Sequence, residues 1–261
     1  MTDGLNNPDY ELSLVIPAHN EQDNLAMLIE QVDLSLRQKG VRVELILVDD
    51  GSTDATRSTA QKLMSTNPWV KMIARDKCQG QSSAMYAGIQ FAKAPFTATL
   101  DADLQNDPAD LYAMLQTVKS GQADLVQGDR SRNRRDSLAR RYASVVGRRA
   151  RGLILGDSVR DTGCSARVMR SELAKQLPLQ YKGMHRFVPV YIKILGGRIV
   201  EMPVNHRPRH AGVTKYGVGA ISRGWNGLLD CFAVRWMRKR LRQTAARNIE
   251  ADASRTGGVE H

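Results

Sequence analysis

Asp101-Ala102-Asp103-Leu104-Gln105 sets two carboxylates one residue apart, directly after the apolar run Phe96 to Leu100 and before Asn106-Asp107-Pro108. A buried strand that ends this way points both carboxylates out at its carboxyl end, beside whatever binds there. Mg2+ typically takes one or two protein carboxylates and fills the rest of its octahedron with water and substrate phosphates. The spacing therefore suits a cation that clamps a nucleotide diphosphate. A solvated loop with a helix cap at Asp107 is the plainer alternative, and the stretch by itself leaves both open.

The elements that must position these residues repeat one pattern. Leu12 to Pro17 reads as a strand, followed by Ala18-His19-Asn20-Glu21 and an amphipathic helix. Val43 to Val48 is a second strand, ending in Asp49-Asp50-Gly51-Ser52-Thr53-Asp54, where Ser52, Thr53 or Asp54 can cap a helix running to Met64. Val70 to Ala74 leads through Gly80-Gln81-Ser82-Ser83 into a helix over Ala84 to Lys93. Phe96 to Leu100 carries the acidic pair, and Asp124 to Gln127 ends in Gly128-Asp129-Arg130. Strands alternating with helices of this length argue an α/β fold with a mostly parallel sheet covered on both faces. Ligands of such sheets sit outside the carboxyl ends of the strands, where these polar turns collect. The first turn has no glycine to admit a dinucleotide pyrophosphate, which excludes a dehydrogenase of the Rossmann type.

In order and interval, Val15-Ile16-Pro17-Ala18-His19-Asn20-Glu21, Val48 to Asp54 and Asp101 to Gln105 resemble the nucleotide-sugar-binding domain of family 2 glycosyltransferases, the GT-A fold. Asp161-Thr162-Gly163-Cys164, Gly183-Met184-His185-Arg186-Phe187 and Arg207-Pro208-Arg209-His210-Ala211-Gly212-Val213-Thr214-Lys215-Tyr216-Gly217 resemble its polyprenyl-phosphate branch, which includes dolichyl-phosphate mannosyltransferases and undecaprenyl-phosphate sugar transferases. Each motif singly is weak; the ordered set is specific. The resemblance runs from Leu12 to Arg240 and implies a catalytic domain over 12–215, after an N-terminal extension over 1–11.

That resemblance implies a metal-dependent inverting transfer from a nucleotide sugar, GDP-mannose or a UDP-sugar, to the phosphate of a dolichyl or undecaprenyl phosphate. It implies Mg2+ or Mn2+ held by Asp101, Asp103 and Gln105. Pro17, Ala18, Asn20, Glu21, Val48, Asp50 and Ala102 match positions that hold the donor. Helix capping is the plainer role for Asn20. Arg130 matches a diphosphate-side arginine, and Arg209 and Lys215 match a basic loop that closes over diphosphate and acceptor phosphate. Guanidinium forks and a lysine point charge suit phosphate oxygens. Asp161 matches a residue that orders the wall of the site.

A phosphate acceptor is already largely dianionic near neutral pH, with a second pKa of about 6, and needs no general base. A hydroxyl acceptor needs a placed carboxylate or histidine. His185 and Arg186 stand where many relatives with hydroxyl acceptors carry an acidic pair, which favours a phosphate acceptor that these two residues could help bind; a satisfied helix-terminal histidine is the plainer role for His185. Transfer to a hydroxyl in cell-envelope polysaccharide or glycolipid synthesis is the alternative. Two departures stand out: His19 replaces a usual aromatic, and Asp129 places a negative charge beside Arg130. Processive synthases carry a glutamine three residues before Arg-Trp; Phe232 occupies that place ahead of Arg235-Trp236.

Composition fits one globular domain: 261 residues, 42% apolar, with three scattered cysteines that argue for a reducing compartment. The polar N-terminus has no signal-peptide pattern, and no run of 18 or more uncharged apolar residues is present. Net charge is +11, which suits a polyanionic partner. Arg130 to Arg151 is one basic cluster; Arg235, Arg238, Lys239, Arg240 and Arg242, interleaved with Phe232, Val234, Trp236, Met237 and Leu241, form another. The second reads as an amphipathic helix over 216–245 lying in an anionic membrane interface, followed by a disordered tail over 246–261. No nucleic-acid-binding signature accompanies the charge. The expectation is a cytoplasmic protein held peripherally at the cytoplasmic face of the membrane, alone or with a separate membrane protein.

Overall fold

The computed structural model describes residues 9–131, 138–208 and 220–242. At its centre, β1 (Leu12–Ala18) and β2 (Val43–Asp50) are nearly unbroken apolar runs and are buried along almost their whole length, as strands covered on both faces must be. They pair in parallel from Leu12 against Val43 to Ala18 against Asp49. With β3 (Val70–Arg75), β4 (Phe96–Thr99), β5 (Leu125–Asp129), β6 (Arg167–Arg170) and β7 (Ile199–Pro203) they make a seven-stranded sheet in the order β3-β2-β1-β4-β6-β5-β7. All run parallel except β6, which is antiparallel to both β4 and β5.

Eight helices accompany the sheet among the described residues: α1 (Leu25–Ser35), α2 (Thr56–Thr66), α3 (Gln81–Phe91), α4 (Asp110–Lys119), α5 (Leu138–Leu155), α6 (Ser171–Ala174), α7 (Val188–Ile194) and α8 (Ala220–Arg240). Alternation along each strand sends side chains to opposite faces, and two cores result. Leu14, Ile16, Leu45 and Leu47 pack with Leu28 and Val32 of α1 and Leu111 and Leu115 of α4. Val15, Ile46 and Val48 pack on the other face with Ala84, Met85 and Ile89 of α3, alongside Val188 and Ile192 of α7. A Cβ on Gly88 of α3 would run into the side chains of Val15 and Val48, so glycine there sets how closely the helix lies on the sheet.

The structure extends the sequence reading in several places. Helix α3 starts at Gln81, not Ala84, and α2 runs to Thr66. Asp54 supports the start of α2 by accepting from the Thr56 amide at 2.9 Å, and Asp107 accepts from the Ala109 amide ahead of α4 at 3.0 Å. Strands β6 and β7 were not anticipated. The C-terminal helix does form, yet it is not a detached segment: α8 lies against α5, and Cys231 and Val234 are sealed into the second core. Its other face stays open. Leu229, Phe232 and Trp236, spaced to share one side of a helix, are 51%, 53% and 59% exposed. Among the described residues no helix is long and apolar enough to cross a membrane. The expected tail over 246–261 lies outside the described residues.

Candidate active site

The carboxyl ends of β1 and β2 and the turn after β4 enclose a cleft of about 240 Å3. Pro17, Ala18, His19 and Glu21 line it from the first turn and Asp50 from the second. Cys78, Gly80 and Gln81 close one side, and Asp101, Ala102 and Asp103 form the floor. Most of the residues singled out from sequence at the donor side are thus brought together. Val48 is not: its side chain is fully buried beneath α3, because it is the last inward-facing apolar position of β2.

Two networks shape the end of the cleft beside β1 and β2. Asn20 sits at φ 54°, a conformation rare outside glycine but more accessible to Asn. Its side chain accepts from the Thr53 amide at 2.8 Å and its amide donates to Ser52 Oγ at 2.9 Å. It therefore ties the first acidic turn to the second and does not cap a helix. Asp50 accepts from the backbone amides of Gln79 and Gly80 at 3.0 and 2.7 Å and pairs with Arg75 at 3.1 Å. Its carboxylate is thereby spent on shaping the loop into α3, while its carbonyl bonds His19 Nδ1 at 2.9 Å. Gly51, at φ +67°, lets that loop approach: a Cβ would fall 2.6 Å from the Cys78 amide nitrogen.

The acidic turn is held just as firmly. The Asp101 amide donates to Ser165 Oγ at 3.2 Å, which also accepts from Asn106 Nδ2 at 2.9 Å. Thr99 fixes the same residue by donating to the Ser165 carbonyl at 2.6 Å. Gln81 donates to Asp101 Oδ1 at 2.6 Å. Leu104 is turned to φ 60° and buried, a strained conformation of the kind that persists where the surroundings over-determine it. Burial, reinforced by the neighbouring Asp103 charge, pushes the Asp101 carboxyl up to about 6. Two carboxylates crowded at one floor suit a divalent cation as their counter-charge. Among the described residues no cluster of three or more His, Cys, Asp or Glu could hold a metal by itself, so water and phosphate oxygens would complete the shell, as Mg2+ and Mn2+ sites on nucleotides allow. Gln105 follows the pair in the same turn. It does not line the cleft; its carbonyl accepts from the Arg207 amide at 2.7 Å and its amide donates to Asp103 at 3.2 Å, so it braces the turn through its backbone.

Arg130 follows β5 as expected, but its guanidinium is committed. Nε and Nη2 donate to the two Asp161 oxygens at 2.7 and 3.0 Å, and both residues are buried. Burial alone would lower the Arg130 pKa; Asp161 more than reverses that. The turn Met184–Phe187 sits over the start of α3. There Ser82 Oγ bonds His185 Nδ1 at 2.7 Å and accepts from the His185 amide at 3.2 Å. Burial, with Arg167 and Arg186 nearby, drives the His185 pKa down to about 3, so the imidazole is neutral and contributes no cation. Arg209 and Lys215 lie outside the described residues. The segment leading to them is strapped to the acidic turn through Arg207, which pairs with Asp107. Sequence reading missed Gln81, Ser82, Asn106 and Ser165; the polar turn Gly80 to Ser83 was the one visible signal for the first two.

With this geometry in hand, the comparisons are specific. Residues 13–177 match Glycosyl transferase family 2. The chain is 39% identical over 237 residues to a dodecaprenyl-phosphate galacturonate synthase of Rhizobium johnstonii, covering 88% of this chain and 69% of that protein. It is 35% identical over 227 residues to an undecaprenyl-phosphate 4-deoxy-4-formamido-L-arabinose transferase of Edwardsiella ictaluri, covering 84% and 67%. The fold is shared with glucosyl-3-phosphoglycerate synthase from Mycobacterium tuberculosis in complex with Mn2+, uridine-diphosphate and phosphoglyceric acid, at a TM-score of 0.62 and 18% identity over 91% of this chain and 81% of that one.

Proposed function

The chain belongs to glycosyl transferase family 2, and on that footing we propose that it moves a sugar from a nucleotide-sugar donor to the phosphate of a polyprenyl phosphate. The observation that carries this reading is the acceptor-side turn. His185 is neutral and already bonded to Ser82, which makes it a poor base. A phosphate acceptor needs none, and Arg186 stands beside it in the same turn. Relatives named for polyprenyl-phosphate acceptors support the same choice.

Binding and positioning fall to this chain's own residues. Pro17, Ala18, Glu21 and the Asn20 tie hold the nucleoside end, with Asp50 shaping the wall. Asp101 and Asp103 would hold a divalent cation, Mg2+ or Mn2+, which supplies positive charge where the diphosphate departs. Arg130, oriented by Asp161, faces the same end of the sheet. Attack by the acceptor oxygen forms the new glycosidic bond as the bond to the donor diphosphate breaks, with inversion at the anomeric carbon. Arg209 and Lys215 complete the phosphate-binding set in this proposal, and the donor is GDP-mannose or a UDP-sugar.

We further place the protein at the cytoplasmic face of a membrane, docked through α8. Leu229, Phe232 and Trp236 form its open apolar stripe, and Arg238, Lys239 and Arg240 fill its last turn. Basic side chains near an anionic surface contribute about 1 kcal/mol each. One observation favours a hydroxyl acceptor instead. Asp230 of α8 reaches Gly183, where an added Cβ would lie 3.2 Å from its carboxylate, and burial raises its pKa, as a general base requires. The test is transfer from a panel of nucleotide sugars, with Mn2+ or Mg2+, to a short-chain polyprenyl phosphate and to the matching polyprenol. Product on the phosphate alone supports the reading. Product on the alcohol, lost in Asp230→Asn, replaces it with the hydroxyl alternative.

A further inference from the structure

Arg167 is the bulkiest of the fully buried side chains among the described residues, at 1% exposure. It lies on β6 in the middle of the sheet, opposite Thr99 of β4 and Gln127 of β5. Directly paired residues share a face, so the three form a polar row across the central strands. Thr99 and Gln127 are equally sealed, at 1% and 0%.

Its bonding is unusual for a buried charge. Nε donates to Gln127 Oε1 at 2.7 Å and Nη2 to the Thr162 carbonyl at 2.8 Å; both acceptors are neutral. Arg130 nearby has its charge met by Asp161, whereas Arg167 makes no ion pair among the described residues. Burial pulls its pKa down, but only to about 10, so it stays charged through the neutral range. For stability alone, an apolar side chain of similar volume serves as well or better at a buried charged position. Strand register sets Arg167 behind the acidic turn, opposite Thr99 and two residues short of Asp101, and, against burial, its charge works with Arg130 to hold the Asp101 carboxyl down.

We propose that Arg167 is a positioning residue for the transfer, a fixed cation behind the cleft that offsets the acidic pair and the negative charge growing on the departing diphosphate. The proposal rests on the cleft being the nucleotide-sugar site. Strand spacing and rise place the Arg167 and Asp101 Cα atoms about 8 Å apart, one strand across and two residues along. A unit charge developing at a separation of that order, in an effective dielectric of about 20, is worth about 30-fold in rate.

Arg167→Gln keeps hydrogen-bonding capacity and removes the charge; Arg167→Lys keeps the charge and loses the fork. Thermal midpoint, calorimetric affinity for a nucleoside diphosphate with Mn2+, and turnover are measured for each. Arg167→Gln is expected to lose about 30-fold in kcat with donor KM little changed, while Arg167→Lys recovers most of the rate although both melt alike. Equal impairment of the two, or turnover that follows the melting temperature, overturns the proposal. If wild-type protein binds no nucleoside diphosphate with Mn2+, the reading of the cleft itself fails, which is a separate result. Should Arg167→Gln not fold, Gln127→Glu sets a carboxylate of nearly the same shape against the intact Arg167 guanidinium. A comparable kcat loss at unchanged nucleotide affinity then supports the proposal, and unchanged turnover overturns it.

Discussion

Removing Asp161 leaves Arg130 as an unmet charge in a buried place, and the cost can be worked from the geometry. Arg130 and Asp161 share two hydrogen bonds, at 2.7 and 3.0 Å, and their side chains are only 11% and 7% exposed. Solvent therefore screens little of the interaction. Breaking a buried pair by deleting one partner costs about 3–5 kcal/mol, most of it the penalty on the charge left behind. For a domain of this size each kcal/mol moves the midpoint by about 2–4 °C, so Asp161→Ala should melt roughly 6–20 °C below wild type. Thermal unfolding followed by circular dichroism, without nucleotide, reads this directly. The double variant Arg130→Met with Asp161→Ala should recover part of the loss, since no charge remains stranded. A single-variant shift under about 2 °C would show that water reaches the pair and that the buried-charge reasoning is wrong.

Three other outcomes follow from particular contacts. His185 carries a folded-state pKa of about 3 against an ordinary 6.5, so the unfolded chain binds the extra proton; its contribution to stability is complete above pH 6.5 and is lost as pH falls toward 3. His185→Gln should remove up to one proton's slope, about 1.4 kcal/mol per pH unit, from the acid limb; an unchanged limb in paired denaturation curves refutes this. Phe232→Ser combined with Trp236→Ser should weaken sedimentation with anionic liposomes at least about tenfold, without altering nucleotide binding, and equal sedimentation would remove α8 as the docking face. Cys78 is exposed and lines the cleft, so nucleoside diphosphate with Mn2+ should slow its alkylation; an unaltered alkylation rate places the nucleotide elsewhere.

Legibility in the sequence tracked distance along the chain. The strands β1 and β2 were readable because burial on both faces leaves a nearly unbroken apolar run, interrupted only by Ser13 and Glu44 before the acidic end of β2, and Asp101 with Asp103 because the strand and its acidic end are contiguous. Strand β6 was not: four residues long, it begins and ends in arginine, and nothing in a short stretch says that Arg167 is buried on neutral acceptors. Partnerships across the fold were equally hidden. Arg130 finds Asp161 from 31 residues away, Asn20 finds Thr53 from 33, and Ser82 finds His185 from 103. The sequence signals residue types suited to phosphate chemistry, whereas the pairings decide which charges remain available: burial disfavours a charge on His185, Asp50 is engaged in its loop, and the Gln105 backbone braces the turn.

The central claim is that Asp101 and Asp103 bind a nucleotide diphosphate together with a divalent cation. Calorimetric titration of UDP and GDP into wild type and Asp103→Asn, each with and without Mn2+, tests it most directly. The account predicts that wild type binds one of them with a marked gain from Mn2+, and that Asp103→Asn loses the gain while melting like the parent. Binding indifferent to Mn2+ in wild type, or an undiminished Mn2+ gain in Asp103→Asn, would contradict it.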